Sequence, residues 1–305
     1  MLFQNFIAQI QRIDAPMLPD VKNALSILRE DEVHPFVSGN KFRKLKYTLE
    51  DAQQAGADTL LTFGGAYSNH IAAVAAAGFE LGMNTIGVIR GEELLHKIHE
   101  NPTLRFAQEK HMRLHFITRA TYKEKTNASF LQELKNQFGS FYMIPEGGTQ
   151  ALAVQGCEEI LSDRTKKFDY ICVPVGTGGT MAGILKASHP HQTVLGYSAL
   201  KGDFQQKELE KYTDKTNFQI IDDYCFGGYA KIDSELVRFI NEFKQQTQIP
   251  LDPVYVGKMM FGILDGLKNG KFKENSRILA VHTGGLQGIA GMNLQLKKKN
   301  LPQIL

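Results

Sequence analysis

Cysteine is scarce in this sequence, which has three cysteines among 305 residues, at positions 157, 172 and 225. They are far apart, form no paired spacing and leave one thiol over in any pairing scheme, which argues against a disulfide framework. Reduced thiols are typical of cytoplasmic proteins, and we expect that location. No cluster of His, Cys, Asp and Glu has metal-site spacing, so no metal is expected.

Neither sign of charge is in large excess, because the sequence has 35 basic and 32 acidic residues and a formal net charge of only +3. No long basic block indicates a nucleic-acid or membrane surface. The one charge run, Lys297 to Lys299, is typical of a solvated chain end. No secretion signal is expected from residues 1–20. The most apolar helical stretch, 70–83, falls short of the ~20 consecutive apolar residues of a membrane span.

Strand and helix patterns alternate along the sequence, which favours parallel sheets joined by crossover helices. A first series predicts helices at 40–55, 68–81, 104–110 and 128–138 and strands at 58–63, 84–89, 114–117 and 141–144. A second series predicts helices at 150–161, 180–186, 234–247 and 257–269 and strands at 170–174, 194–198 and 277–282. The predicted fold class is therefore α/β, with mainly parallel twisted sheets flanked by helices.

We expect two domains, a small inserted one at 45–148 and a large one built from 1–44 and 149–305. No internal repeat, low-complexity segment or Pro-rich linker separates them, so an extensive interface is expected between them. A cleft between two domains is the default place for a ligand.

A glycine-rich turn directly follows the predicted strand at 170–174, and it comprises Gly176, Thr177, Gly178, Gly179 and Thr180. Glycines let backbone N–H groups approach a phosphate, and the helix that follows adds its free N–H donors and its dipole. The segment lacks the Gly-Lys-Ser/Thr ending of a nucleotide triphosphate loop and the spacing of a dinucleotide loop. It predicts an anion site, and the alternative is a tight turn without a ligand.

Lys41 stands at a helix start, with Arg43, Lys44 and Lys46 on the same helix. Positive neighbours favour a neutral amine at Lys41, although a solvated lysine is the ordinary alternative. Ser68 and Asn69 open the next helix, where they can serve as N-caps or present a hydroxyl and an amide to a ligand. We expect His70 to be a satisfied helical histidine rather than a catalyst. An amine, a hydroxyl, an amide and a phosphate cradle are together what pyridoxal phosphate needs.

The sequence resembles the fold-type II pyridoxal phosphate enzymes, and within them the 1-aminocyclopropane-1-carboxylate deaminase and D-cysteine desulfhydrase family. Five segments carry the resemblance in the family's order and cover most of the chain: Gly39-Asn40-Lys41-Phe42-Arg43-Lys44, Ser68-Asn69-His70, Gly176-Thr177-Gly178-Gly179-Thr180, Asp252-Pro253-Val254-Tyr255-Val256-Gly257-Lys258 and His282-Thr283-Gly284-Gly285.

The resemblance implies a role for each matching residue. Lys41 would hold the cofactor as a Schiff base, and Asn69 would hydrogen-bond its phenolic oxygen. Residues 176–180 would bind its phosphate. Ser68 would contact the substrate, and Tyr255 and Tyr229 are similar to the family's two active-site tyrosines, with ordinary packing as the alternative for each.

Two positions bear on the reaction. Family members that open the cyclopropane ring follow the motif's tyrosine with Glu and have Leu between His and Gly-Gly, whereas this sequence has Val256 and Thr283. The resemblance places the Thr283 hydroxyl near the ring nitrogen of the cofactor, as in the desulfhydrases. A neutral hydrogen bond there makes a weaker electron sink than an ion pair with a carboxylate. Tyr67 also departs from the family's usual Gln.

The sequence therefore predicts α,β-elimination on a small amino acid, most specifically the conversion of D-cysteine to pyruvate, ammonia and sulfide. One alternative is the deaminase reaction, which opens 1-aminocyclopropane-1-carboxylate to 2-oxobutanoate and ammonia. Another is a non-catalytic module that binds pyridoxal phosphate, and a third is a dinucleotide oxidoreductase. The resemblance also implies a homodimer.

Overall fold

The computed structural model of this chain describes residues 2–3, 6–200 and 204–305. Its strands, in chain order, are β1 (Ile10–Arg12), β2 (Ala24–Leu28), β3 (Thr59–Gly64), β4 (Asn84–Arg90), β5 (Arg113–Ile117), β6 (Tyr142–Ile144), β7 (Tyr170–Val175), β8 (Thr193–Ser198), β9 (Phe218–Ile221) and β10 (Arg277–Val281). Its helices are α1 (Asn40–Gln54), α2 (Asn69–Leu81), α3 (Pro102–Glu109), α4 (Ala128–Phe138), α5 (Ala151–Glu158), α6 (Gly179–Ala187), α7 (Phe204–Glu210), α8 (Ser234–Thr247), α9 (Val256–Lys268) and α10 (Gly288–Lys298).

The strands form two sheets. A four-stranded sheet has the order β5-β4-β3-β6 with every pair parallel. A six-stranded sheet has the order β1-β2-β10-β7-β8-β9, in which only the edge pair β1 and β2 is antiparallel. The inner strands β3, β7 and β10 are almost wholly buried and consist mainly of aliphatic and β-branched residues, as expected for strands covered on both faces. The predicted α/β class is confirmed.

Helices cover both sheets and supply the core. Helix α2 has a run of nine buried residues, His70 to Gly78, because it packs against strands on one side and α1 and α3 on the other. Helix α5 packs against both α1 and α6, and α9 lies on β7 and β8 of the six-stranded sheet. Within the described ranges, no helix is both long and apolar enough to cross a bilayer.

The predicted elements between 40 and 200 agree with the structure to within a few residues, as do α8, α9 and β10. Strands β1, β2 and β9 and helices α7 and α10 were not predicted from the sequence. Strands β1 and β2 are antiparallel and no helix lies between them, so no βαβ pattern marks them. The four-stranded sheet comes entirely from residues inside 45–148, and α1 runs across the proposed boundary at 44. The division into 45–148 and the remaining chain stays a prediction.

Candidate active site

Lys41 lies in the first turn of α1, where the chain turns sharply against the loop that follows β10. The turn depends on Gly39, which has a φ of +63°, and a Cβ there would lie 2.0 Å from the carbonyl oxygen of Thr283. The backbone N–H of Asn40 donates to the same oxygen at 3.2 Å. Only glycine allows this close approach, which fixes Lys41 above the carboxyl end of β10.

Two hydrogen bonds connect Lys41 to the glycine-rich turn. Its Nζ donates to Asn40 Oδ1 at 3.1 Å, and Asn40 Nδ2 donates to Thr180 Oγ1 at 2.8 Å. Loss of hydration in the cleft, together with the nearby Lys44 ammonium, lowers the pKa of Lys41 to about 7. Lys41 is thus partly buried and partly neutral near neutral pH, rather than the solvated lysine that was the ordinary expectation. Asn40 is a site residue that the sequence analysis did not single out.

The glycine-rich turn joins β7 to α6 as predicted. Gly178 takes a φ of +87° and Gly179 begins the helix, so the first N–H groups of α6 have no partners within the helix. The side chains of Thr177 and Thr180 lie beside these N–H groups and add hydroxyl donors. A cavity of about 80 Å³ is enclosed here, and we call it the narrow end of the cleft.

Lys44 also belongs to the narrow end, although from the sequence it was expected only to be a charged neighbour of Lys41. Its Nζ donates to the carbonyl oxygen of Gly147 and to Thr149 Oγ1, both at 2.9 Å. Thr149 Oγ1 in turn lies 2.7 Å from Thr177 Oγ1. Burial lowers the pKa of Lys44. Lys44 follows Lys41 by three residues, which puts both amines on one face of the helix. This spacing was the one sequence signal that Lys44 belongs to the site.

Ser68 and Asn69 lie where β3 gives way to α2. Ser68 is the N-cap, since its Oγ accepts the Ile71 N–H at 3.3 Å, and it also lines the cleft, so the two readings of this residue are compatible. Asn69 Oδ1 accepts a short hydrogen bond from Gln287 Nε2. A Cβ at Gly285 would lie 3.0 Å from Asn69 Nδ2. The Asn69 amide is therefore held against the loop after β10, facing Lys41 across the cleft.

His70 is satisfied at only one of its two nitrogens. The Thr62 hydroxyl donates to the Ile144 carbonyl oxygen at 2.9 Å, so His70 Nε2, 2.9 Å from the same hydroxyl, is the donor to Thr62. Nδ1 then carries a bare lone pair, for which the described residues supply no hydrogen-bond partner. Burial, with Lys41 and Lys44 nearby, lowers the pKa of His70 well below its usual range. The imidazole is neutral at neutral pH.

Tyr255 and Tyr229 lie side by side, with ring centroids 6.2 Å apart. Tyr255 immediately precedes α9 and is fixed by Asp252, whose carboxylate accepts three successive backbone N–H groups, those of residues 254 to 256, at 2.7 to 3.0 Å. Tyr229 is 51% exposed on a loop that the buried Lys258 holds by donating to the carbonyl oxygens of Cys225 and Gly228. Asp252 thus positions Tyr255, and Lys258 positions Tyr229. In the sequence, the only signal for these two roles was that both residues belong to the segment 252–258.

Thr283 and Val256 have different surroundings. Thr283 is 8% exposed and lines the narrow end. Val256 is fully buried in the core between α9 and the six-stranded sheet, and it does not line either cavity of the cleft. In the described part of the chain no Asp or Glu lines the narrow end.

Beyond Tyr255 the cleft widens into a cavity of about 550 Å³, which we call the wide end. Its walls include the residues from Gly65 to His70, with Arg90, Glu146, Leu200 and Tyr229 farther out. Lys41, Asn69 and Tyr255 line both ends. The structure thus brings together every site residue predicted from the sequence except Gly179, which lies behind the turn against Lys44 and Thr149.

The residues of the cleft fit a phosphorylated aldehyde. The narrow end offers N–H groups, hydroxyls and the Lys44 amine, a donor set suited to a phosphate. A Cβ at Gly179 would lie 2.7 Å from Thr149 Cγ2 and would disturb this arrangement. The Lys41 amine, with its lowered pKa, is suited to condense with an aldehyde. Fold and site therefore define a class, an α/β enzyme that uses an aldehyde cofactor, and Lys41 stays the predicted point of its attachment.

The chain belongs to the family described as pyridoxal-phosphate dependent enzyme, whose model matches residues 13–284. It is 33% identical over 309 residues to a mitochondrial bifunctional D-cysteine desulfhydrase/1-aminocyclopropane-1-carboxylate deaminase of Arabidopsis thaliana, covering 92% of this chain and 76% of that protein. A Pyrococcus abyssi protein, provisionally named a 1-aminocyclopropane-1-carboxylate deaminase, is 31% identical over 297 residues, covering 89% and 88%.

Among solved structures, that of an ACC deaminase homologue superposes with a TM-score of 0.80 at 27% identity, covering 96% of this chain and 94% of that one. The resemblance stated from five segments is confirmed, and so are the expectations of an enzyme and of pyridoxal phosphate as its cofactor. The dinucleotide alternative is set aside, because the family uses a different cofactor.

Proposed function

We propose that this enzyme eliminates the β-substituent of D-cysteine and releases pyruvate, ammonia and sulfide. The observation that carries the proposal is that Thr283 lines the narrow end, where no described residue offers a carboxylate. Asp31, which with Thr283 lines a neighbouring cavity of about 400 Å³, is already paired with Arg29 at 2.8 Å. A neutral hydrogen bond stabilises a protonated ring nitrogen less than a carboxylate does. Loss of a good leaving group such as a thiolate needs less electron withdrawal than cleavage of a carbon–carbon bond.

When bound, pyridoxal phosphate supplies the aldehyde that condenses with the substrate amino group and the ring that withdraws electrons from its α carbon. Residues 176–180 and Lys44 would hold the phosphate, and Asn69 would bond the phenolic oxygen. Thr283 would face the ring nitrogen. Each of these groups is a donor or a neutral polar group, which matches a dianionic phosphate and an electron-rich oxygen.

Lys41 would remove the α-proton of the substrate at its Nζ atom, because a pKa of about 7 leaves much of the amine neutral near neutral pH. The Cβ–S bond then breaks and its electron pair leaves with sulfur, which takes up a proton. One water completes the balance, so that D-cysteine and water give pyruvate, ammonia and hydrogen sulfide. Ser68 would bind the substrate carboxylate, and Tyr255 and Tyr229 would contact the reacting carbons from the wide end.

Opening of 1-aminocyclopropane-1-carboxylate is the second candidate. It is supported by the paired tyrosines, Tyr255 and Tyr229, and by the relatives whose names carry that activity. The same cleft would serve it without rearrangement. A module that binds the cofactor without turnover is disfavoured, because the residues that would act on the substrate, Lys41, Ser68 and Tyr255, all line the wide end.

The cell compartment and the oligomer are parts of the same proposal. Three buried free thiols, Cys157, Cys172 and Cys225, are compatible with the reducing cytoplasm. A homodimer follows from the resemblance alone. Light scattering behind size exclusion would test it, since a monomer has a mass of 34.1 kDa.

The decisive experiment offers D-cysteine, L-cysteine, D-serine and 1-aminocyclopropane-1-carboxylate in parallel to the holoenzyme. Pyruvate, 2-oxobutanoate, ammonia and sulfide are measured separately. We expect equal amounts of pyruvate, ammonia and sulfide from D-cysteine. Oxobutanoate from the cyclopropane substrate alone would replace this proposal by the deaminase reaction, and cofactor absorbance with no product from any substrate would favour the non-catalytic module.

A further inference from the structure

Arg90 is a positive group at the wide end that the reaction described above does not use. It is the last residue of β4, and its exposed side chain extends beside the turn between β3 and α2. A Cβ at Gly65 would lie 3.8 Å from Arg90 Nη2, so the guanidinium lies beside this turn, at the wall of the wide end. The guanidinium carbon lies 5.6 Å from the centroid of the Tyr122 ring, which supports it from behind.

The acidic groups around Arg90 have other partners. Glu146 accepts the Tyr122 hydroxyl at 2.8 Å and pairs with the Lys125 ammonium at 3.4 Å. Asp252 is capped by its three backbone N–H groups. Between residues 6 and 200 and between 204 and 305, no carboxylate forms an ion pair with Arg90. Its five N–H donors are therefore available to an anion in the cavity.

The size of the wide end also exceeds what a small substrate needs. Its volume of about 550 Å³ lies within the ~300–1,000 Å³ of sites for much larger ligands. The cofactor would take the part that both ends share, around Lys41, Asn69 and Tyr255. The part around Arg90 and Tyr229 is not shared with the narrow end and remains free for the substrate.

We propose that Arg90 binds a negatively charged oxygen group on the β-substituent of the substrate, and that the preferred substrates are amino acids with a sulfonate, sulfate or phosphate there, which leaves as sulfite, sulfate or phosphate with the electron pair of its bond to Cβ while one water completes the release of pyruvate and ammonia. This inference rests on the proposed β-elimination at the same site. The planar guanidinium fork matches two oxygens of such a group. D-Cysteine has no such group, so the part of the wide end next to Arg90 would hold water when D-cysteine is bound.

The test compares kcat/KM of the holoenzyme for cysteate and O-phosphoserine, each as both enantiomers, with kcat/KM for D-cysteine, in the wild type and in Arg90→Gln. We expect a ~10- to 100-fold loss for the charged substrates, mostly in KM, because hydrogen bonds to charged groups contribute at this level. D-Cysteine should change less than ~2-fold, since its side chain lacks the group that Arg90 holds. Arg90→Lys should restore part of the loss.

Arg119→Gln is the matched control. Arg119 follows the neighbouring strand β5, pairs with Glu93 at 3.0 Å and does not line the cleft. An equal loss for D-cysteine and the charged substrates in Arg90→Gln would overturn the proposal, because it would indicate a structural role. The same result in Arg119→Gln as in Arg90→Gln would also overturn it.

Calorimetric titration of the holoenzyme with aspartate keeps the test independent of turnover, because its β-carboxylate carries the charge that Arg90 would bind but does not leave in a β-elimination. Binding that is tighter than that of alanine of the same hand and is lost in Arg90→Gln supports the proposal, even if D-cysteine is not a substrate and the proposed desulfhydrase activity fails. Binding no tighter than that of alanine overturns it, and turnover of D-cysteine by the same preparation would leave the proposed function intact.

Discussion

The two ends of the cleft differ in how firmly their side chains are fixed. At the narrow end, Lys41, Asn40 and Thr180 form one hydrogen-bonded chain, and Lys44, Thr149 and Thr177 form another. At the wide end, Tyr67 and Tyr229 are 40% and 51% exposed. The narrow end is thus preorganised for one fixed cofactor, whereas the wide end leaves its polar groups free for a substrate.

Removal of the Lys41 amine should have the largest effect on the function of the narrow end. In Lys41→Ala we expect activity to fall by ~10³-fold or more, because the base and the covalent attachment are both lost. The absorbance near ~420 nm typical of the lysine-bound cofactor should vanish as well. Lys46→Ala is the control, since Lys46 lies on the same helix but is paired with Glu159 at 2.7 Å. A borohydride-reducible adduct at another lysine would refute the assignment.

A single methyl group should distinguish the two ends. At Gly179 a Cβ would lie 2.7 Å from Thr149 Cγ2 and 3.3 Å from Lys44 Nζ, whereas at Gly65 its nearest neighbour would be 3.8 Å away. We expect Gly179→Ala to weaken cofactor binding ~10-fold or more, equivalent to ~1.4 kcal/mol, and Gly65→Ala to leave it unchanged. Fluorescence titration of the apoprotein with pyridoxal phosphate measures both. Equal affinities would show that the narrow end is less rigid than its contacts suggest.

The tyrosine pair tests the border between the ends. Tyr255 lines both cavities, and Tyr229 lines only the wide one. We expect Tyr255→Phe to lower kcat/KM ~10-fold, the scale of one lost hydrogen bond, and Tyr229→Phe to lower it ~2-fold. Steady-state kinetics on D-cysteine would check this order. A larger loss for Tyr229→Phe would place the chemistry farther out in the wide end.

The smallest effect should be a shift in pH dependence. Because the pKa of Lys41 is lowered to about 7, its neutral form becomes dominant as the pH rises through 7. The rate at which the apoprotein binds pyridoxal phosphate covalently should therefore rise between pH 6 and 8 and then level off. Stopped-flow absorbance measures it. A rate that keeps rising toward pH 10 would indicate an ordinary lysine pKa.

Much of the site was predictable because its residues form short contiguous segments. A glycine-rich turn after an apolar strand and a Ser-Asn pair at a helix start can be recognised locally, and five such segments in order specified the family. Asn40 and Lys44 were missed as site residues, because their roles depend on Thr180 and Thr149, which lie more than 100 positions away in the chain. Strand β2 was missed because its parallel partner β10 lies near the other end of the chain, and β1 and β9 were missed because they are edge strands of only three and four residues.

By itself, the sequence determined the α/β class, most helices and strands, the family and its cofactor, since periodicity and short motifs are local properties. Only the tertiary structure decided which residues line the cleft and which lie in the core. The fold places Val256 in the core and Thr283 at the narrow end, and it places Arg90 at the wall of the wide end. It also lowers the pKa of Lys41, because it removes water from the amine and brings Lys44 close to it. Burial and electrostatic interaction depend on which remote residues become neighbours, and that information exists only in the folded chain.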